Sequence, residues 1–358
     1  MRQNRVDAVL KQLEGMGLTQ MLLTDPMAIY YLTGLKIQPF ERFYGLYLNR
    51  NGGHRIFINL LETVPEDLGV EQVRYSDSDP ILDRVADTVD GREPLGVDKT
   101  MTARFLLPLL HGQAARDFVD ASAAVDRARA VKDPRERELM RRASQINDEA
   151  LTALRGLIRE GVSELELAEA LKGIYRDLGA DGLSFPPLAA FGANAASGHH
   201  WPDETRLQPG DCVMVDAGCA VEGYCSDMTR TFFYQTVTER QRRVYDLVLQ
   251  ANEAAEAAVR PGVPLRELDG IARSIITEGG FGPNFTHRLG HFIGLEDHEA
   301  GDVSASSPDA ATPGNVFSIE PGVYLDGEFG VRIEDLVLIT EDGCEILNHM
   351  SKELEILP

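Results

Sequence analysis

Several protein classes are excluded by what this sequence lacks. No apolar run approaches the twenty or so residues that a helix needs to cross a bilayer. The first residues, Met1-Arg2-Gln3-Asn4-Arg5-Val6-Asp7, lack the apolar centre of a secretory signal, so a cytoplasmic protein is expected. Positive charge is scarce: 35 Lys and Arg stand against 57 Asp and Glu, a formal net charge of −22. Nucleic acid and anionic membranes demand clustered Lys and Arg, so neither is an expected partner. Cysteine is scarce too. Cys212, Cys219, Cys225 and Cys344 fit neither a disulfide framework nor the close pairs of a zinc site. They read as small buried hydrophobes, three of them near enough to the stretch described next to suggest sensitivity to oxidation. The 358 residues, 43% of them hydrophobic, suffice for two globular domains.

The stretch Val213 to Thr231, VMVDAGCAVEGYCSDMTRT, is the centre of the chain. Two apolar runs, Cys212 to Ala217 and Cys225 to Phe233, read as strands, and Gly218 and Gly223 supply turn positions between them, which predicts a hairpin. Asp216 and Asp227 fall on these runs. An acid is costly to bury unpaired, and two facing acids repel unless a cation lies between them. A divalent metal resolves both costs. Three later segments repeat the pattern of one metal-competent side chain in a short apolar run: Gly290-His291-Phe292-Ile293-Gly294, Ser318-Ile319-Glu320-Pro321-Gly322 and Val331-Arg332-Ile333-Glu334-Asp335. Four carboxylates and one imidazole suit Mn, Co, Zn or Fe better than a thiolate-seeking ion.

These five segments, in this order and spacing, resemble the metallopeptidases of the pita-bread fold, the family of methionine aminopeptidase, aminopeptidase P and prolidase. The resemblance implies two divalent metal ions. Asp216 would chelate one, His291 and Glu320 the other, and Asp227 and Glu334 would bridge both. Mn is the first expectation for the metal, with Co, Zn and Fe as alternatives.

The amino-terminal part alternates strands and helices. A helix is expected over Val6 to Gly15 and a strand at Met21 to Thr24 that stops at the turn signal Asp25-Pro26. Ile29 to Gly34 follows as the next apolar segment. Further strands are expected at Tyr44 to Leu48, Arg55 to Ile58 and Leu95 to Val97, with helices at Pro80 to Val89 and Ala103 to Leu110. This part resembles the creatinase and prolidase amino-terminal domain, which methionine aminopeptidases lack. The charged run from Arg127 to Pro134 marks a boundary, dividing the chain into 1–127 and 128–358. Beyond it, helices are expected over Arg135 to Ile158, from the capping box of Ser163 and Glu166 to Leu178, over Glu239 to Val259 and over Leu265 to Gly279. Spacing alone establishes no internal repeat. The expected fold is a two-domain α/β chain, a smaller creatinase-like α/β domain followed by a pita-bread α+β catalytic domain.

The resemblance also implies catalytic residues. His199, in His199-His200-Trp201-Pro202, matches a substrate-facing histidine, with His200 the weaker choice. His298, seven residues after His291, matches a histidine that hydrogen-bonds the substrate carbonyl. Glu320 would also move a proton from the attacking water. Arg332, two residues before Glu334, would hold His199, the substrate carboxylate or both. Where relatives carry a proline after the His-Glu pair this chain has Ala300-Gly301, which leaves the pocket's shape open. The implied activity is hydrolysis of a peptide bond that precedes proline, by an Xaa-Pro dipeptidase or an Xaa-Pro aminopeptidase. Arg42 is a candidate for clamping a substrate carboxylate. A peptide-binding scaffold and a creatinase-like hydrolase are the other classes, both disfavoured by the intact ligand set. A homodimer is expected.

Overall fold

Alternating apolar runs near the amino terminus pair as the strands of one mixed sheet. In the computed structural model, which describes residues 1–358, this sheet belongs to a first unit, Met1–Arg129, distinct from a second, Ala130–Pro358. Its six strands lie in the order Glu71–Tyr75, Arg55–Asn59, Gly45–Asn49, Gln20–Leu23, Leu95–Val97, Phe118–Asp120. The first and last of these were not expected; both are polar or short edge strands with little apolar signal. The Asp25-Pro26 pair, expected as a turn, begins the helix Pro26–Thr33. Asp25 accepts the Met27 N–H at 2.9 Å, Pro26 occupies the first turn, and Gly34 closes the helix at φ 77°. The segment Met27 to Leu32 is apolar on every side, so it carries no period from which to tell helix from strand.

The second unit is built twice from the same plan. The helix pair Pro134–Arg155 and Glu164–Asp177 packs with the strands Leu188–Phe191, Cys212–Ala217 and Met228–Tyr234. The pair Glu239–Ala258 and Leu265–Glu278 shares a core with the strands Gly290–Phe292, Val316–Ile319 and Asp335–Ile339. The loops joining the two pairs match bond for bond. In the first, Gly161 N–H donates to Leu207 O and Leu207 N–H to Val162 O; in the second, Gly262 N–H donates to Ala311 O and Ala311 N–H to Val263 O. The backbone therefore reveals an internal repeat of which the residues keep only short matches: Gly161-Val162 and Gly262-Val263 in the two loops, and Pro209-Gly210 and Pro313-Gly314 before the strands that lead to Asp216 and Glu320.

The central acidic strands pair antiparallel, with Asp216 opposite Thr229. Between them the chain inserts a smaller hairpin, Cys219–Val221 with Tyr224–Cys225, so the second long strand starts at Met228 rather than Cys225. Glu222 and Gly223 turn it with φ of 48° and 84°, the positive pair that a tight two-residue hairpin requires. Asp227 thus sits at the strand's entry and Asp216 near the end of its partner. Both face the second half of the repeat, where a five-stranded sheet runs Glu299–Val303, Gly290–Phe292, Val316–Ile319, Asp335–Ile339, Cys344–Ile346. No helix of the chain is long and apolar enough to cross a membrane.

Two predictions follow from the packing. A Cβ on Gly290 would lie 1.9 Å from Ser318 O. Gly290→Ala should therefore cost about 1–3 kcal/mol in urea denaturation and shift His291. Cys212, Cys219 and Cys225 are buried with free thiols, and burial pushes these up to about 12, 11 and 12 respectively. Oxidation sensitivity is thus not expected of the folded chain. A thiol reagent at neutral pH should label these three far more slowly in native than in urea-unfolded protein.

Candidate metal centre

Each acidic or imidazole side chain of the centre stands at or beside the end of a strand, where the backbone is hydrogen-bonded and the side chain can leave the sheet. Asp216 ends its strand next to Ala217, and Asp227 directly precedes Met228. His291 lies in Gly290–Phe292, and Glu320 directly follows Val316–Ile319. Glu334 lies between Phe329–Arg332 and Asp335–Ile339, its N–H held by Thr229 O at 3.1 Å. All five line one cavity of about 950 Å³. Asp227, His291 and Glu334 offer ligand atoms within 4.8 Å of one another.

Hydrogen bonding shows what this arrangement lacks. His291 Nδ1 lies 3.2 Å from Phe292 O, an acceptor, so Nδ1 carries the proton and Nε2 presents its lone pair. Burial, then the neighbouring His298, pushes the imidazole down to about 3, so the ring is neutral. That lone pair lies 3.6 Å from both Asp227 Oδ2 and Glu320 Oε1, acceptor facing acceptors. Asp216 Oδ1, Asp227 Oδ1 and Glu334 Oε1 are buried without any hydrogen-bond partner. Burial, followed by Glu334, Asp216 and Glu320, raises Asp227 well above the usual carboxylate range; burial, followed by Glu320 and Asp216, does the same to Glu334. Orphaned oxygens and a lone pair converging on one space are what divalent cations satisfy, and the donor set fits a pair of them.

The remaining polar atoms brace the ligands. Arg332 is buried and divided among four acceptors. Nη2 donates to Asp216 Oδ2 at 2.7 Å, Nε to Thr229 Oγ1 at 2.9 Å, and Nη1 to Tyr324 Oη at 2.8 Å and Gly198 O at 3.4 Å. Thr229 Oγ1 in turn donates to Glu334 Oε2 at 2.7 Å. His287 Nδ1 faces Arg288 O at 2.7 Å, so its Nε2 accepts from Tyr324 Oη at 2.9 Å. Burial and the Arg332 charge push His287 down to about 4 and keep it neutral. Ser318 Oγ accepts the His291 N–H at 3.0 Å and donates to Glu320 Oε1 at 3.2 Å. Arg230, also buried, donates to Glu334 O at 2.7 Å, Asp335 Oδ1 at 2.6 Å and Met350 O at 2.8 Å, tying the centre to the carboxyl-terminal segment.

The two loop histidines part company. His199 is exposed on the cavity wall, whereas His200 Nε2 lies 2.7 Å from Glu164 Oε2. Glu164 is wholly buried and also accepts from Phe191 N–H at 2.7 Å, Asn194 Nδ2 at 3.0 Å and Asp203 N–H at 3.2 Å, so it fixes the loop that carries His199. The sequence presents Glu164 only as part of a helix start; nothing in its neighbours marks it as a loop anchor. His298 stacks on His291 with ring centres 3.8 Å apart. Phe185, Pro186, Pro187 and Trp201 give the cavity an apolar side. Arg42, in the amino-terminal unit, is held by Asp77 through bonds of 2.9 and 3.0 Å. Tyr324, His287, Thr229, Ser318, Arg230, Arg288 and Glu164 were not singled out from sequence. Among them, only the His287-Arg288 pair just before Gly290-His291 offers a local signal.

Comparison with known proteins agrees with this geometry. The profile of the creatinase/prolidase amino-terminal domain matches residues 5–131, and that of metallopeptidase family M24 matches residues 138–341. An uncharacterized peptidase of Staphylococcus aureus strain USA300 is 32% identical, over 97% of this chain and 99% of its own. A prolidase from Thermococcus sibiricus superposes with a TM-score of 0.92 at 32% identity, covering 100% of this chain and 99% of that one. An Xaa-Pro dipeptidase from Bacillus anthracis does so with a TM-score of 0.91 at 30% identity, covering 100% of each. Fold, ligand geometry and sequence agree that the chain belongs to metallopeptidase family M24, with the creatinase-type amino-terminal domain and pita-bread catalytic domain of its prolidase-like members.

Proposed function

We propose that this chain is a dinuclear-metal-dependent Xaa-Pro dipeptidase that cleaves the bond preceding a carboxyl-terminal proline. The observation that carries the reading is the neutral His291 lone pair facing Asp227 and Glu320 at 3.6 Å, in a cavity where three further carboxylate oxygens have no partner. Likeness over the whole chain to a prolidase and an Xaa-Pro dipeptidase supports the choice of substrate. In this reading Asp216, Asp227, His291, Glu320 and Glu334 would hold the two ions. When bound, the two ions supply Lewis acidity toward the scissile carbonyl and a nucleophile at neutral pH.

The chain's own groups do the rest. Glu320, held by Ser318, accepts the proton released as the nucleophile forms and returns it to the leaving proline nitrogen. Arg288 has only donors to offer, so its 3.1 Å bond to His298 Nδ1 leaves the His298 proton on Nε2, free to donate to the carbonyl oxygen as charge develops there. Arg332 orients Asp216, and through Gly198 O it steadies the loop on which His199 meets the substrate. Mn is the ion we favour, with Co, Zn and Fe as alternatives. A homodimer belongs to the same reading, and four free cysteines support a reducing, cytoplasmic location.

Chelated protein should be under electrostatic stress. Asp227 and Glu334 are raised, and burial pushes Glu320 up to about 7. A carboxyl with a raised folded pKa binds its proton more tightly when folded. The stability it contributes is therefore present at low pH and lost as pH rises from about 4.5 toward 7, and divalent ions should restore it. Asp227→Asn should raise the melting temperature of chelated protein at pH 7 while abolishing the gain on adding Mn. A lower melting temperature for the chelated variant would contradict this.

The activity test compares Leu-Pro with a pentapeptide beginning Leu-Pro, with Mn supplied and with metal chelated. Metal-dependent cleavage of the dipeptide is expected, with little of the pentapeptide. Preference for the pentapeptide would make the enzyme an aminopeptidase, and no metal-dependent cleavage of either would sink the proline-specific reading. Glu320→Gln should lower kcat on Leu-Pro by about two to four orders of magnitude.

A further inference from the structure

His298 is the one exposed residue among those that meet the scissile carbonyl in this reading, and the groups that touch its ring do little to aim it. Arg288 Nη2 donates to its Nδ1 at 3.1 Å, but that guanidinium is 35% exposed and pairs with Asp302, which is 49% exposed. Stacking on His291 sets the separation of the two rings, 3.8 Å between centres, and not the direction of Nε2. The backbone of His298 must therefore be fixed from the buried side. The next residue does this. Glu299 has a side chain 5% exposed; its Oε1 accepts the Leu295 N–H at 2.9 Å and its Oε2 accepts from Lys132 Nζ at 2.9 Å. A Cβ on Gly294 would lie 2.6 Å from Glu299 Oε1, so only glycine lets the carboxylate close over the loop 294–298. Gly294 O accepts the Cys225 N–H at 2.7 Å, tying that loop to the other half of the repeat. Lys132 is itself buried just before the helix Pro134–Arg155, its N–H donating to Gly314 O at 2.8 Å and its O accepting from Arg137 Nε at 2.8 Å. Strand register completes the arrangement. His291 pairs with Asp302 and Phe292 with Glu299, a bulge in which one step on the ligand strand answers three on its neighbour.

We propose that Lys132 and Glu299 are a positioning pair that sets His298 against the scissile carbonyl. The proposal rests on His298 as the donor to that carbonyl and is indifferent to whether the substrate is a dipeptide or a longer peptide. A purely stabilising role is the weaker account, because an ion pair drawn out of water gains little over apolar residues of the same volume: desolvating two charges offsets their attraction. Direction is what it supplies instead. A carboxylate shared between one ammonium and one N–H has a single orientation, and only one peptide unit separates Glu299 from His298. Displacing a reacting group by about 1 Å can cost about a hundredfold in rate, so the hold on that peptide unit bears directly on turnover. The same device stands on the other side of the centre. Arg230 and Asp335, 1% and 0% exposed, pair at the residue that follows Glu334, as Glu299 follows His298.

The test is a double-mutant cycle on the metal-loaded full chain: wild type, Glu299→Gln, His298→Ala and the two together, assayed for kcat and KM on whichever of Leu-Pro and the Leu-Pro pentapeptide the wild type cleaves faster. Metal content and melting temperature are measured for each. Glu299→Gln strands a buried ammonium, so Lys132→Met combined with Glu299→Gln, which removes both charges, is measured in the same two backgrounds. Each Glu299 variant should lower kcat by about tenfold or more, with metal content unchanged and KM little altered. The neutral combination should recover melting temperature without recovering kcat. With His298→Ala present, neither should lower kcat by more than about twofold, because no ring is left to misplace. A loss as large without His298 as with it, a kcat that recovers together with melting temperature, or a loss of bound metal in the neutral combination would overturn the positioning role and leave the hydrolase reading intact. An unchanged kcat in His298→Ala would overturn the assignment of His298 as carbonyl donor and the role of the pair together.

Discussion

Everything in the second unit is arranged around an electrostatic conflict: an imidazole lone pair and four carboxylates converge on one space, three of the five side chains almost fully buried. Asp227, His291 and Glu334 are all almost fully buried, yet no arginine or lysine forms an ion pair with them; Arg332 binds Asp216 instead. Left alone, such a cluster must bind protons it would not hold in water. It is tolerable in a folded chain because the fold surrounds it with strands that cannot give way and because divalent charge resolves it.

The doubled architecture explains how that conflict is held. One half of the repeat delivers Asp216 and Asp227 from a pair of antiparallel strands; the other delivers His291, Glu320 and Glu334 from strand ends of a second sheet. Neither half has a centre by itself. Cross-links between and within the halves run through side chains that touch the candidate ligands. Thr229 spans Arg332 and Glu334 and Arg230 reaches Glu334 O and Asp335, while Ser318 joins His291 to Glu320 within the second half. Such bracing sets the orientation of first ligands and is usually as exacting as the ligands themselves. Glu164 extends the principle outward by fixing, through His200 and the backbone, the loop that carries His199.

What could be read from sequence and what could not divides along a physical line. The five candidate ligand positions stand out in the sequence because each places one charged or imidazole group in an otherwise apolar run, a local contradiction visible without any knowledge of neighbours. The helix start at Ser163 was legible for the same local reason, and its capping box is formed; the same box closes on Asp133 and Thr238, where it was not read. The small hairpin Cys219–Cys225 was read as the turn between its longer neighbours because both its arms are too short to show a period. Pro26–Thr33 was missed because a helix apolar on every side has no amphipathic signal. Tyr324 and His287 take their roles from strands and loops 37 residues apart, and Arg230 from partners more than a hundred residues away. Arg288 was passed over because its place two residues before Gly290 assigns it no partner until strand pairing brings Asp302 and His298 to it.

The most direct measurement of the central claim is calorimetric titration of Mn into chelated protein at neutral pH, counting ions bound per chain. Two ions per chain, with protons released as the raised carboxylates ionise, is the outcome this account predicts. Binding of none, or of one ion with no proton release, would contradict it and leave the buried carboxylates without an explanation.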